Sequence, residues 1–306
     1  MSRIHEALKK AEGERLLLRQ GSYVEVAPES LPLNPNLEPP RTPRAPIAQS
    51  ASGSFNAPAT YDMLLARIAE SKWAPDARTM LFFDEDEQAY GTEEFRTLRS
   101  RLYQIRERQP LKKVLVSSAL PQEGKSFVSS NLAQVMVRQH GRTALLIDAD
   151  LRASQLHRTL GTNATPGLAE YLLGECDEFA VMQRGSMENL FFIPAGRLVS
   201  NPAELLGNGR LKSLLTRLES MFDWIIVDAP PAVPISDAAL LAGYCDGVLM
   251  VVRSNATPSD VARKARMEFK GASLVGIVLN GVDGGTSYSK YYYAAYGNEA
   301  RGGAKK

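Results

Sequence analysis

The stretch ALPQEGKS, residues 119–126, constrains this chain more than any other. It carries the Gly-Lys-Ser end of a phosphate-binding loop. Before it stands KKVLVSS (112–118), an apolar run of strand character; after it, SFVSSNLAQVMVRQHG brings Val128, Leu132, Val135 and Met136 onto one helical face before Gly141. A loop that opens a helix presents unpaired backbone N–H groups, and these can cradle an anion. Gln122, Glu123, Gly124, Lys125, Ser126 and Phe127 are therefore the expected nucleotide contacts. In such a loop the backbone holds the phosphates, the lysine charge meets the outer ones and the serine hydroxyl reaches Mg²⁺. The first glycine of the usual pattern is replaced here by Ala119.

Two more segments add carboxylates. LLIDADLR (145–152) is an aliphatic run ending in Asp148 and Asp150, and WIIVDAPP (224–231) is another, ending in Asp228. In a parallel α/β sheet, ligands bind beyond the carboxyl ends of the strands, so three strand-end aspartates would meet in one crevice beside the phosphate loop. Any one of them could merely cap a helix or turn. Three in this order behind a phosphate loop point to Mg²⁺ and phosphoryl chemistry.

The chain has 306 residues, 44% of them hydrophobic, enough for one large domain with appendages. A net charge of +2 gives no general reason to expect nucleic acid as a partner. Cys176 and Cys245 lack metal-ligand spacing and suit a reducing cytosol, and no apolar run nears the ~18 residues a membrane span needs. A cytoplasmic protein is expected.

Residues 1–20 read as a short helix with Ile4, Ala7, Leu8 and Ala11 on one face, either a docking peptide or an uninformative terminus. Residues 21–72 hold eight of the eighteen prolines and read as a disordered linker. From 73 to 282 the pattern is a doubly wound, mostly parallel α/β sheet. It has a helix over 92–106 and strands near 112–118, 143–149, 190–194, 224–229, 246–253 and 273–280. Residues 283–306 read as a flexible tail, in which Tyr288, Tyr291, Tyr292, Tyr293 and Tyr296 crowd into nine positions. Such crowding fits an edge strand, a segment that folds on a partner or, beside a phosphoryl-transfer site, a set of phosphate acceptors.

With these motifs in this order, the chain resembles the bacterial tyrosine autokinases of capsule and exopolysaccharide production, P-loop proteins related to the MinD and ParA ATPases. LLIDAD matches their Walker A′ strand, IIVDAPP their Walker B strand, and Glu93, Arg96 and Arg99 in EEFRTLRSRL match their E-x-x-R-x-x-R oligomerisation motif. The resemblance implies transfer of the γ-phosphoryl of ATP, with Mg²⁺, to the protein's own C-terminal tyrosines, between subunits of a ring-like homo-oligomer. Lys125 would hold phosphates, Ser126, Asp150 and Asp228 would serve the metal, and Asp148 or Asp150 would take the tyrosine proton; the sequence does not separate those two. Asn280 resembles the base-contacting asparagines of related ATPases, or simply sits in a turn. The resemblance also implies a membrane polysaccharide co-polymerase that recruits the chain to the inner face of the plasma membrane, and an opposing tyrosine phosphatase.

Two rivals remain open on sequence. A MinD- or ParA-type positioning ATPase would carry a second lysine where Leu120 stands and would lack the tyrosines. A regulatory subunit that binds nucleotide without transferring phosphate would need turnover data to exclude.

Overall fold

Strands form where β-branched and aliphatic residues run together between turn residues, and helices where apolar residues recur every three to four positions. The computed structural model describes residues 61–68, 70–83 and 91–282, which all lie in one compact unit. Seven strands, β1 (Lys113–Ser118), β2 (Ala144–Asp148), β3 (Gln183–Arg184), β4 (Leu190–Ile193), β5 (Trp224–Asp228), β6 (Gly247–Arg253) and β7 (Leu274–Asn280), make one sheet in the order β3-β4-β2-β5-β1-β6-β7. All pairings are parallel except β3 with β4. Each of the six expected strands forms to within a residue at either end. The exception, β3, is a two-residue edge strand too short to leave a period in the sequence.

Alternation along the strands builds two cores. Leu115, Leu145, Ile147, Ile225 and Val227 face one side; Val114, Val116, Leu146, Trp224 and Ile226 face the other. Both faces must be covered, as parallel sheets require. Over the first face lie α1 (Tyr61–Arg67), α5 (Leu168–Leu173), α6 (Pro202–Gly207), α7 (Arg210–Leu218), α8 (Asp237–Ala242) and α9 (Ser259–Glu268). In α7, Leu211, Leu214, Leu215 and Leu218 fall at helical spacing and are all buried. Each such leucine contributes about 1.5–3 kcal/mol. Over the second face lie α2 (Thr92–Arg106), α3 (Lys125–Val137) and the short α4 (Leu156–Thr159).

Helix α3 is buried on nearly every side, polar residues included. Asn131 and Gln134 explain this. The Asn131 side-chain oxygen accepts from Leu81 N at 2.8 Å and its amide donates to Thr79 O at 2.7 Å, while Gln134 accepts from Phe82 N at 3.3 Å. The two amides thus pair the backbone of a non-helical strap, residues 79–82, that would otherwise be buried unsatisfied.

The linker expected to run to residue 72 ends earlier. Tyr61–Arg67 is helical, Leu64 is fully buried and Ile68 nearly so, both in the first core. The proline-rich composition stops at Pro58, and the following residues already carry a buried apolar face. The N-terminal helix and the tyrosine tail lie outside the described residues.

Candidate nucleotide site

The strand order makes the site. Because β5 lies between β1 and β2, the carboxyl ends of these three strands are adjacent, with Val116 beside Asp228 and Asp228 beside Asp148 in register. The phosphate loop leaves β1, turns through Gln122 (φ 64°) and Gly124 (φ 93°), and enters α3 at Lys125. Gly124 is required twice over: its φ is left-handed, and a Cβ there would lie 2.0 Å from Asn280 Nδ2.

Glu123 shapes this loop from within. Its carboxylate is buried, accepts from Leu120 N at 2.6 Å and also from Thr257 Oγ1, while its own carbonyl accepts from Asn280 Nδ2 at 2.9 Å. Ser118 Oγ adds a bond to Leu120 O at 2.7 Å. Glu123, expected among the nucleotide contacts, therefore has a side chain committed to the loop, and Asn280 has its amide hydrogen bonded there too. Sequence reasoning missed Thr257 and Ser118; a hydroxyl alone carries no signal of its partner, which for Thr257 lies 134 residues away.

Lys125 Nζ lies 2.9 Å from Asp150 Oδ2 and 3.8 Å from Asp228 Oδ2. Burial pulls this ammonium down, but the Asp228 and Asp150 carboxylates outweigh it and hold its pKa above the ordinary value. Ser126 Oγ donates to Asp228 Oδ2 at 2.6 Å. Burial pushes Asp228 up, against the pull of Lys125 and Ser126. Asp148 has no exposed surface; burial first, and the Asp228 charge second, push it up to about 7. The structure thus brings Lys125, Ser126, Asp148, Asp150 and Asp228 together.

The fit to a hard cation can be judged from the oxygens. Asp228 Oδ1 is the one buried side-chain nitrogen or oxygen among the described residues with no hydrogen-bond partner, and it belongs to the carboxylate that holds Ser126. An orphaned carboxylate oxygen beside a serine hydroxyl suits Mg²⁺, which keeps few protein ligands and completes its shell with water and phosphate. Consistent with that, no group of three or more His, Cys, Asp or Glu side chains among the described residues is placed to hold a metal by itself.

Residues of the 148–157 loop extend the site. Ser154 Oγ donates to Asp148 Oδ2 at 2.8 Å and lies 3.1 Å from His157 Nδ1. Arg152 pairs through two nitrogens with the buried Asp237, at 2.7 and 3.2 Å. Sequence reasoning missed Ser154, His157 and Asp237. A serine six residues after a strand-end aspartate was the available signal. Glu93, Arg96 and Arg99 lie on α2; Glu93 pairs with Arg96, and Arg99 donates to Val135 O at 2.9 Å.

Fold and site together define a P-loop nucleotide-binding α/β domain, and a family model described as an AAA domain matches residues 112–258. The chain is 33% identical over 196 residues to the tyrosine-protein kinase YwqD of Bacillus subtilis, covering 63% of this chain and 82% of that one. It is 32% identical over 222 residues to the putative tyrosine-protein kinase EpsB of Ralstonia nicotianae, covering 70% of this chain but 29% of that longer protein. The solved kinase domain of the Escherichia coli tyrosine kinase ETK superposes with a TM-score of 0.65 at 29% identity, over 72% of this chain and 84% of that one. The chain belongs to the bacterial tyrosine-protein kinase family. Among the described residues no helix is long and apolar enough to cross a membrane.

Proposed function

We propose that this chain is an ATP-dependent tyrosine kinase whose first acceptors are its own Tyr288, Tyr291, Tyr292, Tyr293 and Tyr296. The observation that carries this reading is the cluster of Lys125, Ser126, Asp150 and Asp228 around the phosphate loop, with Asp148 buried beside it. Lys125 moves from Asp150 to the outer phosphates, and the backbone of 122–127 holds the rest. Ser126 and Asp228, with Asp150, would hold Mg²⁺, which would neutralise phosphate charge when bound. Asp148 takes the tyrosine proton as the phenolic oxygen bonds to the γ-phosphorus and ADP departs. Asp150, paired with Lys125 in this structure, is the alternative for that role.

The positioning-ATPase alternative is disfavoured by Leu120, which packs against the chain's own first core where those proteins place a lysine. Asn280, beside the loop, is available to the nucleobase through its carbonyl oxygen. The rest of the reading follows the family: a ring-like oligomer contacting through Glu93, Arg96 and Arg99, a membrane polysaccharide co-polymerase as activator, and a phosphatase in opposition, together controlling exopolysaccharide assembly.

The test is an anti-phosphotyrosine blot of the full chain made in a host without tyrosine kinases and supplied with ATP and Mg²⁺. Signal from the wild type and none from Lys125→Met is expected; a silent wild type that still binds ATP points to the regulatory alternative. Removing residues 286–306 should leave ATP binding intact and abolish the signal.

A further inference from the structure

Ser154 and His157 have no part in the reading above, yet they form a chain of contacts that ends on Asp148. Ser154 Oγ carries one hydrogen and has two neighbours, Asp148 Oδ2 at 2.8 Å and His157 Nδ1 at 3.1 Å. In the form that takes the tyrosine proton Asp148 is ionised and can only accept, so the serine hydrogen then points to Asp148 and the contact to the ring uses a hydrogen on Nδ1. With a bare Nδ1, the same hydrogen would be drawn toward the imidazole and Asp148 Oδ2 would lose its shortest hydrogen bond. The remaining bonds to this carboxylate are longer: Leu156 N at 3.3 Å on Oδ2 and Asp150 N at 3.2 Å on Oδ1.

We infer that His157, acting through Ser154, is a positioning residue for Asp148: its Nδ1–H sets the Ser154 hydroxyl, and that hydroxyl fixes the carboxylate oxygen against which the acceptor is aligned. The inference rests on the kinase reading and adds two residues to it. His157 is half-buried on α4, and burial together with Arg158 pushes its pKa below the usual histidine value. A neutral ring has a choice of tautomer, and the Ser154 contact selects the one that donates. Asp148 needs this support because it has no cation in hydrogen-bond contact, whereas Asp150 has Lys125. Fixing the carboxylate through Ser154 adds no charge to it, and its other oxygen keeps the bond from Asp150 N.

The experiment compares Ser154→Ala, His157→Phe and His157→Asn in the full chain, reading single-turnover phosphotyrosine formation, ATP dissociation constant and melting. The phenylalanine keeps the ring without a donor; the asparagine places an amide N–H near the position of Nδ1. Ser154→Ala and His157→Phe should each slow transfer by roughly 10- to 100-fold, the scale of a small misplacement of a reacting group, with ATP affinity held within about twofold. His157→Asn should recover to within about threefold of wild type, since it restores the hydrogen bond but not the imidazole. Adding His157→Phe to Asp148→Asn should slow the reaction no further.

A wild-type rate in His157→Phe overturns the inference, as does a His157→Asn protein as slow as His157→Phe, or a double variant that falls by the full factor of the single one. Should Ser154→Ala fail to fold, the two His157 variants still decide. A wild type that forms no phosphotyrosine removes the kinase reading and this inference together; an active wild type indifferent to His157 removes only the inference.

Discussion

Glu123 and Asp148 are both carboxylates with almost no exposed surface, one in the phosphate loop after β1 and the other at the carboxyl end of β2, where its own loop begins. In the phosphate loop, Glu123 receives Leu120 N and Thr257 Oγ1, and its own backbone is gripped by Asn280. The loop's polar groups are thus satisfied by the chain itself. In the loop after β2, Asp148 and Asp150 crowd Asp228 around a single ammonium, that of Lys125, and one oxygen of Asp228 has no partner. The first loop is a finished mould, and the second holds concentrated negative charge that a cation and a reacting proton can relieve. Preorganised backbone donors and unrelieved carboxylates are complementary requirements of phosphoryl transfer, and here they sit at the carboxyl ends of β1, β5 and β2, three consecutive strands of the sheet.

The comparison is tested most severely at Lys125, which joins the two loops. Lys125→Met should reduce tyrosine phosphorylation by about 10³-fold or more, the scale seen when a charge that meets the transition state is lost. It should also lower stability by a few kcal/mol, because a buried pair loses one member. Calorimetry on the nucleotide-free protein checks the second effect; an unchanged melting temperature would mean that the carboxylates do not depend on this ammonium.

Asp148→Asn should slow transfer by about 10²- to 10³-fold, the usual range for a lost general base, while ATP binding is retained. Equal losses in rate and in ATP affinity would place Asp148 with the phosphates instead.

The same variant sharpens the electrostatic half of the comparison. Burial and Asp228 push Asp148 up to about 7 in the folded protein, above its ordinary value of 3.8. Between those values the folded state holds a proton that the unfolded chain has released, so the stability contributed by Asp148 is full below about pH 4 and is lost as pH rises through about 7. Relative to Asp148→Asn, which cannot titrate, the wild type should lose ground steadily across that window and level off above it. Paired denaturant titrations from pH 4 to pH 8 measure the difference, and a constant difference would contradict the burial argument.

A smaller effect is expected in the finished loop. Glu123→Ala removes both acceptor oxygens, so Leu120 N and Thr257 Oγ1 each lose their carboxylate partner. A stability loss of about 1–3 kcal/mol should follow. ATP should bind more weakly through the loosened loop, with the transfer rate at saturating ATP little changed. If the rate falls while affinity holds, Glu123 belongs to the chemistry and the contrast between the loops is wrong.

The two loops also differ in how far they could be read in advance. The phosphate loop was legible because it acts through backbone conformation: Gly124, Lys125 and Ser126 follow from the geometry of a strand entering a helix, and the flanking residues announce both elements. The strand-end aspartates were legible for the same reason, since six strands have apolar runs long enough to show. Ser154 and His157 were not, because their meaning depends on where the chain turns after Asp150. The strap over 79–82 escaped too: Asn131 and Gln134 look like solvent-facing positions until another segment lies across them.

By itself, then, the sequence determined the order of strands and helices, the phosphate loop and the carboxyl-end location of Asp148, Asp150 and Asp228, all consequences of local periodicity and turn chemistry. Only the tertiary structure decided that β5 inserts between β1 and β2, that Lys125 sits on Asp150 and not on Asp148, that Glu123 braces the loop, and that one oxygen of Asp228 is left unpaired. The physical reason is the range of the interactions. Periodicity acts over a few residues, whereas burial, charge crowding and hydrogen-bond satisfaction are set by groups as far apart as Ser126 and Asp228, and these exist for one another only once the sheet has closed.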